Sequence, residues 1–404
     1  MMSNICERIS SDAVISLVKS KISFLRDSDT LQCQEISDGN VNYVFRVTDQ
    51  NNQSVIVKYA DGFIRNSKTR KLSTKRSTIE NEILKLQNQL CPHSVPEVYY
   101  FDRELHCIIM EDLKNYTIMR TALMEHQIFP LFAEHISEFL LQTLFKTTDL
   151  VMAPDEKKEL AGKLINADMC EISERLVFTE PYKNRQGLNS YHQKNNQFVQ
   201  QTLYQNEALI FEVGILKNRF KNVAQSMLHG DLHTGSIFVN PKDTRVFDPE
   251  FSFFGPMGYD IGNVIGNLIL SWVPVKLTAG LRQQAYLEWI ESAVKGTIDL
   301  FISKYNSNYD QNVNDPMLKS DAFKHYYLQT ILGDTSGYAG TEIIRRTVGV
   351  AKVKEIQAVN DDIIKPQLER VLIKIGQDFI LNGNNLTCGQ AFVDLVNRHL
   401  SVDK

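Results

Sequence analysis

Three carboxylates stand close together in the stretch from His229 to Glu250 and constrain what this chain can be. Asp231 lies in a His-Gly-Asp segment, and Asp248 is two residues before Glu250. An apolar run at 237–239 and a polar turn separate the two groups, which predicts loop, short strand, turn, short strand. Asp248 and Glu250 then lie at the end of a hairpin, and extended backbone there would aim both carboxylates at one point.

The residue types in this stretch predict phosphoryl-transfer chemistry. Paired carboxylates suit a hard cation such as Mg²⁺, whose usual role is to carry the phosphates of a nucleotide. A nearby aspartate can orient and deprotonate a hydroxyl that attacks the γ-phosphate. We therefore predict a centre that uses ATP and Mg²⁺, with Asp231 as the base and Asp248 and Glu250 as metal ligands.

The composition of the 404-residue chain favours a two-lobed protein that binds a small molecule. With 43% hydrophobic residues the chain can bury more than one core. The formal net charge of -4 gives no basic field, so we expect no nucleic-acid partner. The six cysteines show no CxxC or Cys/His spacing, which argues for reduced thiols and against a zinc site or disulfide framework.

The sequence indicates neither export nor insertion into a membrane. Its N-terminus lacks the apolar run of a signal peptide. The most apolar segment, 261–274, is interrupted by Asn and Gly and is too short to cross a bilayer. We expect this segment to form a buried helix in a cytoplasmic protein.

The first part of the chain predicts a helix over 12–25 followed by a five-stranded antiparallel sheet. The turn after the first strand carries Gly39, which would let the backbone approach a phosphate. An Asp-Gly turn is also among the commonest hairpin signals, so the structural alternative stays open. Asn42 follows as a candidate nucleotide contact. The predicted strands are 31–36, 41–47, 54–58, 97–101 and 107–110.

Lys58 ends an apolar strand, the position at which protein kinases place their phosphate-binding lysine. A helix with Ser77 as its cap should follow, with an apolar stripe that includes Ile83. Glu80 would lie in its first turn and pair with Lys58. Glu82 is the competing candidate, and we favour Glu80 because its spacing from Ile83 puts it on the inward side of the helix.

The last predicted strand of the sheet runs into Glu111, Asp112 and Leu113, which mark a lobe boundary. The backbone groups of such a hinge can hydrogen-bond an adenine edge. We therefore predict an N-terminal nucleotide-binding lobe at 1–112 and a larger, mainly helical catalytic and substrate-binding lobe at 113–404. The basic segment 65–76 is either a solvated connection or a phosphate-facing flap.

Two further features concern the reacting groups. Protein kinases place an asparagine metal ligand five residues after the catalytic aspartate, whereas this chain has Ser236 there. Because Ser236 is a poorer ligand, we expect Glu250 to supply the missing oxygen beside it. Arg345 and Arg346 form either a helix face with solvated tips or a pair that holds an acceptor and neutralises the transferred phosphate.

These motifs together resemble the 5-methylthioribose kinases, relatives of the aminoglycoside and choline kinases. The His-Gly-Asp segment with a downstream aspartate marks the whole superfamily. The Leu-His-Thr-Gly-Ser segment, Asp-Pro-Glu and the twin arginines together are similar to this family specifically. The matching segments are Cys33–Phe45, Met110–Leu113, Ile172–Thr179, His229–Phe238, Asp248–Phe251, Phe254–Asp260 and Ile343–Thr347.

The resemblance implies a bilobal, protein-kinase-like α+β fold and transfer of the ATP γ-phosphate to the anomeric hydroxyl of 5-methylthioribose in methionine salvage. It implies a homodimer. By position, Asp231 is similar to the catalytic base, and the two arginines to the pair that engages the sugar. Asp248 and Glu250 are similar to the metal ligands. The implied nucleotide contacts are Asn42, Lys58, Glu111, Asp112 and Leu113.

Two rival functions remain open at this point. A kinase of the same fold could act on choline or an aminoglycoside, but the paired arginines disfavour such cationic acceptors. A nucleotide-binding scaffold without catalysis would have no need of the base Asp231.

Overall fold

The computed structural model describes the chain as two compact units. The described residues are 9–36, 42–63 and 72–402. The first unit consists of residues 1–115 and 246–251, and the second of residues 116–245 and 252–404. The segment with Asp248 and Glu250 thus belongs to the first unit. At its start, the N–H of Val246 donates a 2.7 Å hydrogen bond to the carbonyl of Ser94. The roles assigned to the two predicted lobes stay predictions.

The predicted five-stranded antiparallel sheet is confirmed in the first unit, with the strand order β1-β2-β3-β5-β4. Side chains alternate across each strand, so Val55 and Val57 enter the core while Lys58 lies on the opposite face. The strands are β1 (Leu31–Glu35), β2 (Tyr43–Asp49), β3 (Ser54–Tyr59), β4 (Val98–Asp102) and β5 (Cys107–Glu111).

Three helices accompany this sheet: α1 (Ser11–Lys21), α2 (Ser23–Arg26) and α3 (Lys75–Leu90). The single helix predicted over 12–25 is wrong, because extended backbone at Ile22 (φ -104°, ψ 107°) separates α1 from α2. Val14 and Val18 nevertheless pack on the sheet core. The predicted Ser77 cap is also wrong: α3 begins at Lys75, and the Ser77 hydroxyl donates to the carbonyl of Thr74.

The second unit is mainly helical, as the sequence predicts. Its strands are β6 (Thr117–Ile118), β7 (Ser226–Met227), β8 (Ile237–Asn240), β9 (Asp243–Val246) and β10 (Phe254–Gly255). The predicted hairpin is β8–β9, which β6 extends to three strands. The helices are α4 (Met119–Met124), α5 (Phe132–Leu144), α6 (Pro154–Lys163), α7 (Ala167–Leu176), α8 (Glu180–Lys183), α9 (Asn196–Val199), α10 (Glu207–Asn222), α11 (Gly258–Thr278), α12 (Gln284–Asn312), α13 (Asp321–Val348), α14 (Lys354–Gln357), α15 (Ile364–Leu381) and α16 (Gly389–Val402).

Helices α11 and α13 form the centre of the second unit and lie unusually close together. Added Cβ atoms on Gly258 and Gly262 would come within 2.7 Å of the backbone of α13. Helix α11 is long and apolar enough to cross a membrane, yet 83% of its most apolar window is buried inside the protein. The predicted buried helix is therefore confirmed, and it brings the polar residues of α11 against those of α13.

Some predicted features fall partly or wholly outside the described residues. The Gly39 turn lies in 37–41, and most of the basic segment 65–76 lies in 64–71. The five cysteines in the described part form no disulfide with one another.

The close approach of α11 and α13 predicts that a single methyl group at Gly262 is costly. The new Cβ would lie 2.6 Å from the carbonyl oxygen of Thr335 and 2.7 Å from the N–H nitrogen of Ala339. Neither backbone atom can rotate away, so we expect Gly262→Ala to lower the free energy of unfolding by about 1–3 kcal/mol in urea denaturation.

Gly162 provides the matched control, because it lies in helix α6 with nothing within 4 Å of an added Cβ. Alanine there should leave stability unchanged or raise it by up to ~1 kcal/mol. Equal destabilisation by both substitutions would contradict the packing argument.

Candidate active site

A buried lysine connects two carboxylates in the first unit. Lys58 on β3 donates to Glu80 on α3 at 2.7 Å and also to Asp248. The predicted pairing of Lys58 with Glu80, rather than with Glu82, is therefore present. With α3 beginning at Lys75, Glu80 lies in the second helical turn and not in the first.

Glu250 joins the same cluster through Asn42 and Arg76. The Asn42 amide donates to Glu250 at 2.8 Å, while the Asn42 carbonyl oxygen accepts from the Arg76 guanidinium at 3.0 Å. Arg76 Nε is 3.5 Å from the Glu250 carboxylate. Arg76 is only 1% exposed, so this member of the basic segment is neither a solvated side chain nor part of a flap.

The oxygens of Glu80, Asp248 and Glu250 lie within 4.8 Å of one another and form a candidate cation site. Burial is the largest cause of the raised pKa of Glu80, and Asp248 and Glu250 add to it against Lys58. Burial and Asp248 likewise raise the pKa of Glu250. Although burial would lower the pKa of Lys58, the carboxylates outweigh it and keep the ammonium charged.

This cluster holds more carboxyl groups than cations among the described residues. Three carboxyl groups lie beside two cations, Lys58 and Arg76. A hard divalent cation bound by the carboxylate oxygens would offset their repulsion. The donor set therefore fits Mg²⁺.

Asp248 reaches the cluster from an unusual backbone conformation. Its φ of 68° lies in the left-handed region, which aspartate tolerates better than most residues. The condition under which the spacing of Asp248 and Glu250 would aim both carboxylates at one point, extended backbone, is therefore not met at Asp248. The two carboxylates converge through this left-handed residue, and not through the alternation of a strand.

In the second unit, a buried aspartate fixes the loop that carries Asp231. The backbone N–H groups of His229 and Gly230 donate to Asp260 at 2.6 and 3.0 Å. Gly230 has a φ of 85°, which a glycine adopts without strain. Burial raises the pKa of Asp260 to about 6, while the two N–H donors and His229 oppose the shift.

His233 and two arginines surround the Asp231 carboxylate. His233 Nε2 lies 3.3 Å from Oδ2, Arg345 Nη2 lies 3.2 Å from Oδ1, and Arg346 Nη2 lies 3.8 Å from Oδ1. His233 Nδ1 accepts from the Gly235 N–H at 2.9 Å, so the imidazole proton is on Nε2 and points to Asp231. Burial, Arg120 and Arg346 lower the pKa of His233, so the ring is neutral at pH 7.

These neighbours keep Asp231 ionised. Burial alone would raise the pKa of its carboxyl. The opposing effects of His233, Arg345 and Arg346 are larger together and hold the pKa well below its usual range. Asp231 can therefore accept a hydrogen bond from a hydroxyl at any physiological pH.

Glu342 holds the two arginines in place from the preceding turn of α13. It is fully buried, donates nothing, and accepts from Arg345 Nε and from Arg346 Nε, the latter at 2.8 Å. Asn267 on α11 donates to the same carboxylate at 2.8 Å. Burial would raise the pKa of Glu342, but the two arginines lower it to about 2. The alternative of solvated arginine tips is thus excluded.

Ser236 and the hinge residues have defined partners within their own units. The Ser236 hydroxyl donates to the carbonyl of Asp231 at 3.2 Å. The Asp112 carboxylate accepts from Arg46 and Ser54, each at 2.7 Å, which fixes the residue to β2 and β3. Leu113 is buried, and the N–H of Glu111 donates to the carbonyl of Glu97. The predicted nucleotide and metal contacts of these residues stay predictions.

Comparison with known proteins assigns the family. The model of the phosphotransferase enzyme family matches residues 32–291. A methylthioribose kinase of Geobacillus sp. (strain WCH70) is 34% identical over 94% of this chain and 93% of the relative. A methylthioribose kinase of Bacillus cereus (strain G9842) is 35% identical over 86% of each chain. The chain belongs to the methylthioribose kinase family.

Solved structures similar to this methylthioribose kinase family member include two other kinases. A choline kinase from Cryptosporidium parvum Iowa II covers 97% of this chain and 98% of its own, with 14% identity and a TM-score of 0.48. A glucosamine kinase covers 90% of this chain and 82% of its own, with 11% identity and a TM-score of 0.47.

The predicted residues fall into two clusters in this small-molecule kinase. Lys58, Glu80, Asp248, Glu250 and Asn42 meet in the first unit. Asp231, Arg345 and Arg346 meet in the second unit.

Sequence reasoning missed three polar residues that support these clusters. Glu342 could have been predicted, because it precedes Arg345 by three residues and Arg346 by four, which places it on the same helix face as both. Asp260 and Arg76 could not have been predicted in this way, since their partners are distant in sequence.

Because Glu80 pairs with Lys58 and Glu82 does not, we expect substitutions of these two glutamates to have different effects on activity. In Glu80→Gln the charge that fixes Lys58 is lost, so we expect kcat/KM for ATP to fall about 10- to 100-fold, the equivalent of ~1.5–3 kcal/mol for a charge-assisted hydrogen bond. Glu82 is exposed, and Glu82→Gln should change the steady-state constants less than about twofold. Equal losses in the two variants would rule out a special role for Glu80.

Glu342 predicts a pH-dependent contribution to stability. Its carboxyl has a pKa of about 2 in the folded protein against 4.5 ordinarily, which is roughly 3 kcal/mol at 1.36 kcal/mol per unit. Because the pKa is lower in the folded protein, the ionised carboxylate makes its full contribution to the free energy of unfolding above pH 4.5. This contribution is lost as the pH falls toward 2.

Urea unfolding should therefore show Glu342→Gln destabilised by about 3 kcal/mol at pH 7 and by less at pH 3.5. The exposed Glu288, which bonds Gln284 one turn away, is the control, and Glu288→Gln should stay within ~0.5 kcal/mol at both pH values. A Glu342→Gln effect that grows as the pH falls would contradict this assignment.

Proposed function

We propose that this kinase transfers the γ-phosphate of ATP to the anomeric hydroxyl of 5-methylthioribose, giving 5-methylthioribose 1-phosphate and ADP. The observation that carries the proposal is the ionised Asp231 held between neutral His233 and the Arg345–Arg346 pair. The methylthioribose kinase relatives, which match nearly the whole chain, support the choice of acceptor.

In the proposed reaction Asp231 is the catalytic residue on the acceptor side. Its carboxylate accepts the hydrogen bond of the anomeric O–H and takes the proton as the oxygen attacks. The new bond joins this oxygen to the γ-phosphorus, and the bond from that phosphorus to the bridging oxygen breaks, so that ADP leaves with its electrons. The His233 N–H keeps the carboxylate oriented without competing for the proton.

Arg345 and Arg346 hold the acceptor and the developing charge. Glu342 neutralises the pair in part and fixes both guanidinium planes. Planar donors held in this way can bind two oxygens at once, which suits a sugar diol or a phosphoryl group.

The first-unit cluster serves the nucleotide. Lys58, fixed by Glu80, would bind phosphate oxygens, while Asn42 and the backbone of Glu111, Asp112 and Leu113 would contact the rest of ATP. Asp248 and Glu250 would hold Mg²⁺, with Glu80 at the edge of the donor set and Ser236 as an additional predicted ligand. When bound, Mg²⁺ neutralises phosphate charge and orients the nucleotide.

Several wider features belong to the same proposal. The first lobe would bind the nucleotide and the second the acceptor. The enzyme would act as a cytoplasmic homodimer in methionine salvage, as the resemblance implies.

The rival acceptors fit the acceptor-side charges less well. Choline and aminoglycosides are cations, whereas the carboxylates of Asp231 and Glu342 are already paired with Arg345 and Arg346. A nucleotide-binding scaffold would also have no need of an ionised aspartate held beside two arginines.

The proposal is tested by an assay of ADP release with Mg²⁺ and three acceptors: 5-methylthioribose, choline and kanamycin. We expect turnover with methylthioribose alone. Asp231→Asn should lower kcat at least about 1,000-fold, the upper part of the range for a general base, while ATP binding by calorimetry changes little. The exposed Asp394 provides a control, and Asp394→Asn should retain full activity. Turnover with choline or kanamycin but not with methylthioribose would overturn the substrate assignment.

A further inference from the structure

A third arginine, Arg120, lies beside the Asp231 loop. It is in the first turn of α4, directly after β6, which pairs with β8 through Thr117–Val239 and Ile118–Phe238. Because β8 follows the loop at once, this pairing brings Arg120 to the loop's end at Gly235.

The guanidinium of Arg120 lies close to the backbone at Gly235. A Cβ on Gly235 would lie 3.1 Å from Arg120 Nη1 and 2.9 Å from His233 Nδ1. On its other side, Arg120 Nη2 donates a long 3.4 Å hydrogen bond to the Asn267 carbonyl oxygen. Arg120 is therefore packed into the same group of residues that fixes Asp231 and Glu342.

Unlike the twin arginines, Arg120 has no carboxylate at ion-pair distance within the described ranges. Its Nε is buried and has no hydrogen-bond partner there. Glu355 affects it only through space, because that carboxylate bonds Ser271. Burial and Arg346 both lower the pKa of Arg120, against the opposite effects of Glu355, Glu342 and Asp231. A partly buried guanidinium without an ion pair of its own is stabilised by an anion that binds to it.

Arg120 is the guanidinium of this group that has no ion pair among the described residues. Arg345 and Arg346 form ion pairs with Asp231 and Glu342. The proposed acceptor is neutral. The only anionic group that the proposed reaction brings to the acceptor is the transferred phosphoryl group.

We propose that Arg120 binds the phosphoryl group once it is on the acceptor oxygen, as a third phosphate-binding arginine of the acceptor site. This inference rests on the proposed function. The planar guanidinium can donate two hydrogen bonds to one phosphate, and both are charge-assisted. Arg120 would thus favour the phosphorylated sugar over the free sugar.

The test compares the affinity of the enzyme for 5-methylthioribose 1-phosphate and for 5-methylthioribose by calorimetry, without nucleotide. We expect Arg120→Met to weaken binding of the 1-phosphate at least tenfold and binding of the free sugar less than threefold. Arg120→Lys keeps the charge and loses the planar guanidinium. Its affinity for the 1-phosphate should lie between the affinities of Arg120→Met and the wild type, and its affinity for the free sugar should stay near that of the wild type.

Arg282 provides the control, because it is an exposed arginine that donates to the carbonyl groups of Thr278 and Ala279 at the end of α11. Arg282→Met should bind both ligands as the wild type does. The inference is overturned if Arg120→Met and Arg120→Lys bind the 1-phosphate normally, or if they lose both ligands equally. A wild type that binds neither ligand and does not turn over methylthioribose would overturn the proposed function and this inference together, whereas the other outcomes leave the proposed function intact.

Discussion

The second unit depends on one buried charge, the Glu342 carboxylate. An isolated carboxylate in this position would be very unfavourable, but two guanidiniums and the Asn267 amide satisfy it. In return, Glu342 fixes the two arginines at a distance from which both reach Asp231. The arrangement requires α11 and α13 to touch, which the glycines of α11 allow. The position of the arginines beside the candidate base Asp231 therefore depends on the close packing of α11 and α13.

The two clusters differ in the kind of ligand that they can accept. Among the described residues, the Lys58 cluster has three carboxyl groups beside two cations, and the Asp231 cluster has one guanidinium, that of Arg120, without an ion pair. The first arrangement suits a metal cation, and the second suits an anionic group. A kinase needs both, because it must bind a metal-nucleotide complex and stabilise phosphate on the acceptor.

Much of the fold and of the candidate site was predictable from the sequence, and the predictions that were wrong or missing have physical causes. Strand alternation and helical spacing gave the five-stranded sheet and the pairing of Lys58 with Glu80, since both are local patterns. The left-handed backbone of Asp248 was not predictable, because aspartate also adopts extended conformations. Arg76 looked like part of a solvated basic run, and only its contact with distant Asn42 shows otherwise. A contact between two polar residues that are far apart in the sequence produces no periodic pattern from which it could be predicted.

The hydrogen bonds of His233 limit the routes that a proton could take in the proposed reaction. Both ring nitrogens are engaged: Nδ1 accepts from the Gly235 N–H, while Nε2 faces Asp231. A ring in this state cannot take up a proton on one side and release it on the other without first losing its hydrogen bond to the loop. In the proposed reaction Asp231 would therefore be the end of the proton pathway and not a link in a relay. Its proton would then leave through the acceptor side, which would couple departure of the product to recovery of the base.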